Sequence, residues 1–197
     1  FAGLVQDYVE LKGWLPKDLG AGRMIAIVGD AELDEGNIHE ALIESWKQDI
    51  RNCWWIIDYN RQSLDAVVSD RLFLGIESQF KAVGWRVVTL KYGKKLEAAF
   101  ARADGEALRR WIDDCPNSLY SALTYKAAWR ERLEADLGAV PGIRALLASH
   151  DDTALHALMT NLAGHDMEAV LEGFREAESS DLPTCFIAYT IKGFGLP

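Results

Sequence analysis

Cysteine is scarce in this chain and poorly spaced for metal or disulfide work. The 197 residues hold three, Cys53, Cys115 and Cys185, an odd number set far apart. Zinc sites need closely spaced pairs, and disulfide scaffolds need even, dense sets, so neither is present. Cys53 and Cys185 fall in apolar, strand-like runs, which reads as buried free thiols in a reducing compartment. Positive charge is also short, with 21 Lys and Arg against 30 Asp and Glu and a formal net charge of −9. That balance argues against a nucleic-acid partner and against an anionic membrane surface. An anionic substrate would then need positive charge concentrated locally. No apolar run approaches the ~20 residues that span a bilayer, and the first residues lack a signal-peptide layout. A cytoplasmic protein is the expectation. Internal repeats and low-complexity linkers are absent as well.

What is present is enough for one core. Apolar residues make up 49% of the chain, a content and length typical of a single domain covering 1–197. Residues 3–14 have helical spacing, and Pro16, Gly20 and Gly22 break the pattern before a strand at 24–28. A helix over 37–50 should turn Ile38, Ala41, Leu42, Ser45 and Trp46 inward. A strand at 53–58 leads into a polar loop reaching about Leu72. Gly75–Val83 reads as a helix closed by Gly84, and 85–90 as a third strand. Residues 95–113 are helical with an interruption at Asp104-Gly105. Residues 118–163 are mostly helical, broken at Pro141-Gly142. Asp166 should cap a helix to about Glu178, and 185–191 forms the last strand. Strand and helix alternate, which predicts an α/β fold, a doubly wound and mostly parallel sheet flanked by helices.

The most telling stretch is IAIVGDAELDEGNIHEALIESWKQDIRNCWWIIDYNRQSLD, residues 25–65. Two apolar runs, Ile25–Val28 and Trp54–Ile57, each end in a turn bearing side-chain oxygens. Neighbouring parallel strands would hold one polar ligand between their carboxyl ends, where open α/β sheets bind. Magnesium takes hard oxygen ligands and completes its shell with water and substrate phosphates. One carboxylate (Asp30), one carboxamide (Asn60) and a main-chain carbonyl leave room for two phosphate oxygens and a water. Backbone N–H groups at Ala31 and Glu32 could bond a phosphate directly. Taken alone, Gly29-Asp30 is an ordinary turn and helix cap, and Asn60 is equally ordinary. The two together, a strand before each and a helix between, favour a diphosphate held through a metal.

This stretch resembles the thiamine-diphosphate motif of the transketolase superfamily, which begins Gly-Asp-Gly and closes about thirty residues later on asparagine. GDAELDEGN and DYNRQSLD are more similar still to the homodimeric, bacterial-type decarboxylating first component of the pyruvate dehydrogenase complex. The resemblance continues through FKAVGWRVVTLKYGKKLEAAFAR, NLAGHDMEAVLEGFREA and AYTIKGFG, and so covers nearly the whole chain. It implies thiamine diphosphate and Mg²⁺ as cofactors. Asp30 and Asn60 would ligate the metal by side chain and Gln62 by its main-chain carbonyl, while Gly29, Ala31 and Glu32 would line the diphosphate. It further implies a homodimer, a small 2-oxo acid substrate and a lipoyl-bearing acyltransferase partner. Two positions depart from the pattern. Ala31 replaces the motif's last glycine, which is tolerable if its φ is negative, and Tyr59 precedes the metal asparagine where many relatives have a smaller polar residue.

Lys192, closing the final strand in TIKGFG, would most often be a solvated surface group. By resemblance, pyruvate-type dehydrogenases carry this lysine and transketolases proper do not, so Lys192 is the candidate catalytic residue, paired with a substrate carboxylate or with charge developing on the thiamine adduct. His39 reads as support near the cofactor loop, His165 as a turn residue, and His150 and His156 as solvated. Trp54 and Trp55 read as packing residues. The family's activating glutamate and proton-handling histidines have no counterpart here. The chain therefore reads as a fragment, a diphosphate-binding domain trimmed at its amino end and inactive alone. Two other readings stay open: ketol transfer between sugar phosphates, and a non-catalytic scaffold or sensor.

Overall fold

The computed structural model describes residues 1–19, 22–63 and 66–196. Helix α1 (Ala2–Leu11) is followed by strand β1 (Met24–Gly29), a 3-10 turn over Asp30–Asp34, helix α2 (Gly36–Lys47) and strand β2 (Cys53–Tyr59). A short antiparallel ribbon, β3 (Gln62–Ser63) with β4 (Ala66–Val67), leads to α3 (Leu72–Ala82) and β5 (Arg86–Leu90). Then come α4 (Lys94–Phe100), α5 (Gly105–Asp114), α6 (Asn117–Lys126), α7 (Trp129–Leu137), α8 (Pro141–Ala148) and α9 (Asp152–Met159). A 3-10 turn over Ala163–His165, helix α10 (Met167–Glu178) and strand β6 (Thr184–Tyr189) complete the chain.

The four long strands form one parallel sheet in the order β1-β2-β6-β5. Gly29 lies beside Asp58, and Tyr59 beside Tyr189, so the strands end together. Side chains alternate across the sheet. Ile57, Tyr59, Cys185, Ile187 and Tyr189 face the larger core, built with α3 and the α4–α9 helices. Trp54, Phe186, Ala188, Val88 and Leu90 face α10 through Ala169, Ala177 and Phe174. Both faces of β6 are therefore covered and all six of its residues are buried, as a parallel strand with helices on both sides requires. The α/β class and flanked parallel sheet expected from the alternation are present. Trp54 and Trp55 pack as expected, Trp54 against Phe174 and Phe186, Trp55 against Phe80 and Trp85.

Several expectations need correction. Ala41 and Trp46 are exposed, because the buried stripe of α2 is narrow: Ile38, Leu42 and Ser45 occupy its i, i+4, i+7 line, and the other two fall on its margins. Helix α3 starts at Leu72, leaving Gly75 inside it. The long helical stretch breaks not only before Pro141, the first residue of α8, but also at Ala127 in the left-handed region and around Ser149–Asp151. Strand β6 ends at Tyr189 rather than at 191. His150 and His156 are half-buried instead of solvated: the indole N–H of Trp129 donates to His156 Nδ1 (3.2 Å), and His150 sits against the Leu146 carbonyl (2.9 Å). Cys53 is half-buried and Cys185 buried; both thiols are free, with burial raising their pKa. Gly20, and residues 64 and 65 of the polar loop, lie outside the described residues.

Candidate functional site

Because β1 and β2 are adjacent and parallel, their carboxyl ends open on one edge of the sheet. Gly29 (φ −70°) passes the chain into the Asp30–Asp34 turn. Asp30 is only 3% exposed. Its Oδ2 accepts a hydrogen bond from the Arg61 backbone N–H at 2.9 Å, which ties the first loop to the second. Beyond β2, Asn60 Oδ1 accepts from the Gln62 N–H at 3.0 Å, the local turn that asparagine favours. Arg61, between them, has φ +65°. Asp30, Asn60 and Gln62 thus share one rim, with Gln62 opening β3. Ala31 is half-buried and not among the positive-φ residues, so its methyl causes no strain. Glu32 is exposed, yet a Cβ on residue 29 would stand 3.5 Å from its Oε1.

Burial pushes the Asp30 carboxyl above its ordinary value, outweighing the N–H groups of Arg61 and Ala31, and the Asp58 carboxylate adds to the rise. Such a charge on Asp30 is costly until paired. Beside it stand a carboxamide and the Gln62 main chain, all oxygen donors. Among the described residues no three His, Cys, Asp or Glu converge on a metal position. A thiolate–imidazole zinc site is thereby excluded, but magnesium commonly takes one or two carboxylates and fills its shell from water and phosphate. The donor set fits that ion.

A third segment closes the rim. After β6, the Thr190 hydroxyl bonds the Asp58 carboxylate and the Thr190 N–H donates to Tyr59 O (3.2 Å). The Ile191 N–H donates to His165 Nε2 at 2.8 Å, and the His165 ring stacks on Phe194 at 3.9 Å. Since Nε2 accepts, the imidazole is neutral with its proton on Nδ1. Burial lowers the His165 pKa in the same sense, with Asp58 opposing. His165 is a turn residue that also holds the start of TIKGFG. Gly193 and Gly195 have φ of +74° and +80°, which glycine alone adopts without strain. Lys192 is exposed and lines, with Asn60, two clefts of about 230 and 490 Å³. His39, expected near the cofactor loop, is exposed and contacts Gln79.

Sequence reasoning missed three residues. Arg61 is 8% exposed, with its guanidinium 4.2 Å from the centre of the Tyr120 ring. Tyr120 and Thr124 reach the rim from α6. Position between Asn60 and Gln62 was the only available signal for Arg61; none existed for α6, which tertiary packing brings in.

A parallel sheet whose strand ends share a rim of oxygen donors, the buried Asp30 among them, is the architecture of a cofactor-binding α/β domain. Residues 17–110 match the family model described as transketolase, thiamine diphosphate binding domain. Over most of its length it is also similar to curated pyruvate dehydrogenase E1 components. The protein from Cupriavidus necator is 28% identical over 180 residues, 90% of this chain and 20% of that protein. The Escherichia coli protein is 27% identical over 192 residues, 96% of this chain and 21% of that protein. That from Corynebacterium glutamicum is 27% identical over 193 residues, with shares of 96% and 20%. The chain spans about a fifth of the length of these relatives. Among the described residues, no helix is long and apolar enough to cross a membrane.

Proposed function

We propose that the whole protein is a thiamine-diphosphate- and Mg²⁺-dependent 2-oxo acid dehydrogenase of the pyruvate dehydrogenase E1 kind. This chain supplies its diphosphate and metal half-site. The observation that carries the reading is Asp30, a buried carboxylate bonded to the Arg61 N–H across the strand ends, on one rim with Asn60 and Gln62. Asp30 and Asn60 would hold Mg²⁺ by their side-chain oxygens and Gln62 by its carbonyl. Neither φ nor protein crowding demands glycine at position 29, which fits a close approach by ligand there; Ala31 and Glu32 would offer N–H groups to the diphosphate. The cofactor, when bound, supplies the carbon nucleophile that makes decarboxylation of a 2-oxo acid possible. The protein's part is to hold it, orient it and place charge.

Lys192 would attract the substrate carboxylate, held by the Thr190–Asp58 and Ile191–His165 contacts. Relatives at this level of similarity carry the name pyruvate dehydrogenase E1 component, which favours a pyruvate-like substrate and acyl delivery to a lipoyl partner. A cytoplasmic homodimer is part of the same reading, and residues 1–197 alone are expected to be inactive.

Calorimetric titration of the whole protein with thiamine diphosphate, with Mg²⁺ and with chelator, tests the site. Asp30→Ala or Asn60→Ala should remove the metal-dependent gain in affinity, a loss of at least ~10–100-fold if each is a direct ligand. Binding that ignores metal in the unaltered protein would sink the proposal. The transketolase-type domain match supports one rival, ketol transfer between sugar phosphates. Release of CO₂ from pyruvate with an artificial electron acceptor separates the two, and Lys192→Ala should raise the KM for the 2-oxo acid.

A further inference from the structure

We infer that the cleft between the Asn60–Gln62 loop and α6 recognises a carboxylate through Arg61, and that it selects a ligand with two carboxylates. Resting on the proposed reaction but departing from the pyruvate of the relatives' name, the substrate class becomes a 2-oxo dicarboxylate, with Lys192 and Arg61 each taking one acid group.

Four observations converge on Arg61. Its side chain is 8% exposed, and Nε is buried without a hydrogen-bond partner among the described residues. Thr124, on α6, lines the same cleft, and its Oγ1 is likewise buried and without a partner. Buried polar atoms are rarely left in that state, and each one calls for an unplaced water, ion or ligand. Among the described residues Arg61 forms no ion pair: the guanidinium lies over Tyr120, and Nη2 reaches Thr190 O only at 3.5 Å, while Asp70, Asp113 and Asp114 line the neighbouring cleft that Arg61 also borders. Finally, φ of +65° is an unfavourable backbone for so large a side chain, and strain of that kind concentrates at functional sites.

The cleft itself selects the ligand class. Arg61 and Lys192 line it together with Thr124 and Ser121, and none of the described residues lining it is acidic. A planar guanidinium suits a carboxylate, to which it can give two parallel N–H bonds. The volume of about 230 Å³ lies below the ~300 Å³ lower end of drug-sized sites, which points to a short acid. Asn60 and Gln62 flank Arg61 in sequence, so the cleft adjoins the rim that would hold the metal.

The test measures binding of glutarate, butyrate and inorganic pyrophosphate to the cofactor-free whole protein by calorimetry. Glutarate should bind more tightly than butyrate. Arg61→Leu should weaken glutarate at least ~tenfold, as loss of a charge-assisted pair implies, and leave pyrophosphate unchanged. Equal binding of glutarate and butyrate would overturn the inference. So would loss of pyrophosphate binding in Arg61→Leu, since the guanidinium would then serve the cofactor diphosphate. Thr124→Val, nearly the same shape, guards against an Arg61 variant that does not fold. It should also weaken glutarate, and unchanged affinity there counts against the site. In turnover, 2-oxoglutarate should have a lower KM than pyruvate, with the order reversed in Arg61→Leu. Arg61-dependent glutarate binding without CO₂ release from any 2-oxo acid would support the site and sink the reaction.

Discussion

Burial holds the Asp30 carboxyl above its ordinary pKa against the backbone N–H groups that lower it, that of Arg61 foremost. The metal-free fold therefore binds this proton more tightly than the unfolded chain does. Its contribution to stability is full at pH below the unfolded value of 3.8 and is lost as pH rises through the higher folded value. At neutral pH the ionised carboxylate burdens the fold, a cost retained where a ligand later offsets it. Asp30→Asn keeps an oxygen for the Arg61 N–H but removes the buried charge. It should raise the melting temperature of the metal-free protein by roughly 2–4 °C, the shift ~1 kcal/mol gives a domain of this size. The same change should abolish magnesium-dependent cofactor binding. Scanning calorimetry with and without Mg²⁺ reads both, and a lower melting temperature would show that the hydrogen bonds outweigh burial.

At the scale of elements, one carboxylate joins three segments. Asp166 caps α10 through the N–H groups of Glu168 and Ala169, accepts from the Lys94 N–H at the start of α4 (2.8 Å), and holds Asn161. Partial burial works to raise its pKa, but these hydrogen bonds win and leave it below the ordinary 3.8. The stability it contributes is present above 3.8 and disappears as pH falls through the lower folded value. Asp166→Ala should cost ~1–2 kcal/mol, the upper part of the range for a helix cap, and flatten the acid limb of stability against pH; urea midpoints at neutral and acid pH measure it. Gly142 makes the opposite point about propensity. Within a helix, Gly→Ala ordinarily stabilises by up to ~1 kcal/mol. A Cβ on residue 142 would stand 2.1 Å from the Ala103 carbonyl oxygen, a backbone atom that cannot turn aside. Gly142→Ala should therefore destabilise, by ~1–3 kcal/mol as overpacking does, visible in the same urea titrations.

Across the whole molecule, the sheet is protected unevenly. Ile27 and Ile57 are the same residue type in neighbouring strands, yet Ile27 is 76% exposed and Ile57 fully buried. The α10 layer packs over β2, β6 and β5, while Ile25 and Ile27 on the same face of β1 lie open. Ile27→Lys should change stability by no more than ~0.5 kcal/mol, as for other surface positions. Ile57→Lys would bury an unpaired charge and should prevent folding. Circular dichroism of the two variants decides this: a large loss from Ile27→Lys would mean that face is not open.

Much of this was legible in residue order. Apolar runs ending on Gly29-Asp30 and Tyr59-Asn60 located β1, β2 and the rim between them, since strand burial and turn chemistry are local properties that spacing records. Asp166 as the cap of α10 was readable for the same reason. Gln62 joined Asp30 and Asn60 as an expected ligand only through the resemblance to the thiamine-diphosphate motif. Three-dimensional packing alone determined that β6 would enter between β2 and β5, that α6 would carry Thr124 and Tyr120 to the loop, and that Arg61 would be buried there without an ion pair among the described residues. Trp46 shows the limit from the other side, an apolar residue at helical spacing left in solvent. Periodicity says which side chains share a face, but whether that face meets another element depends on contacts between segments distant in sequence, and no local pattern encodes them.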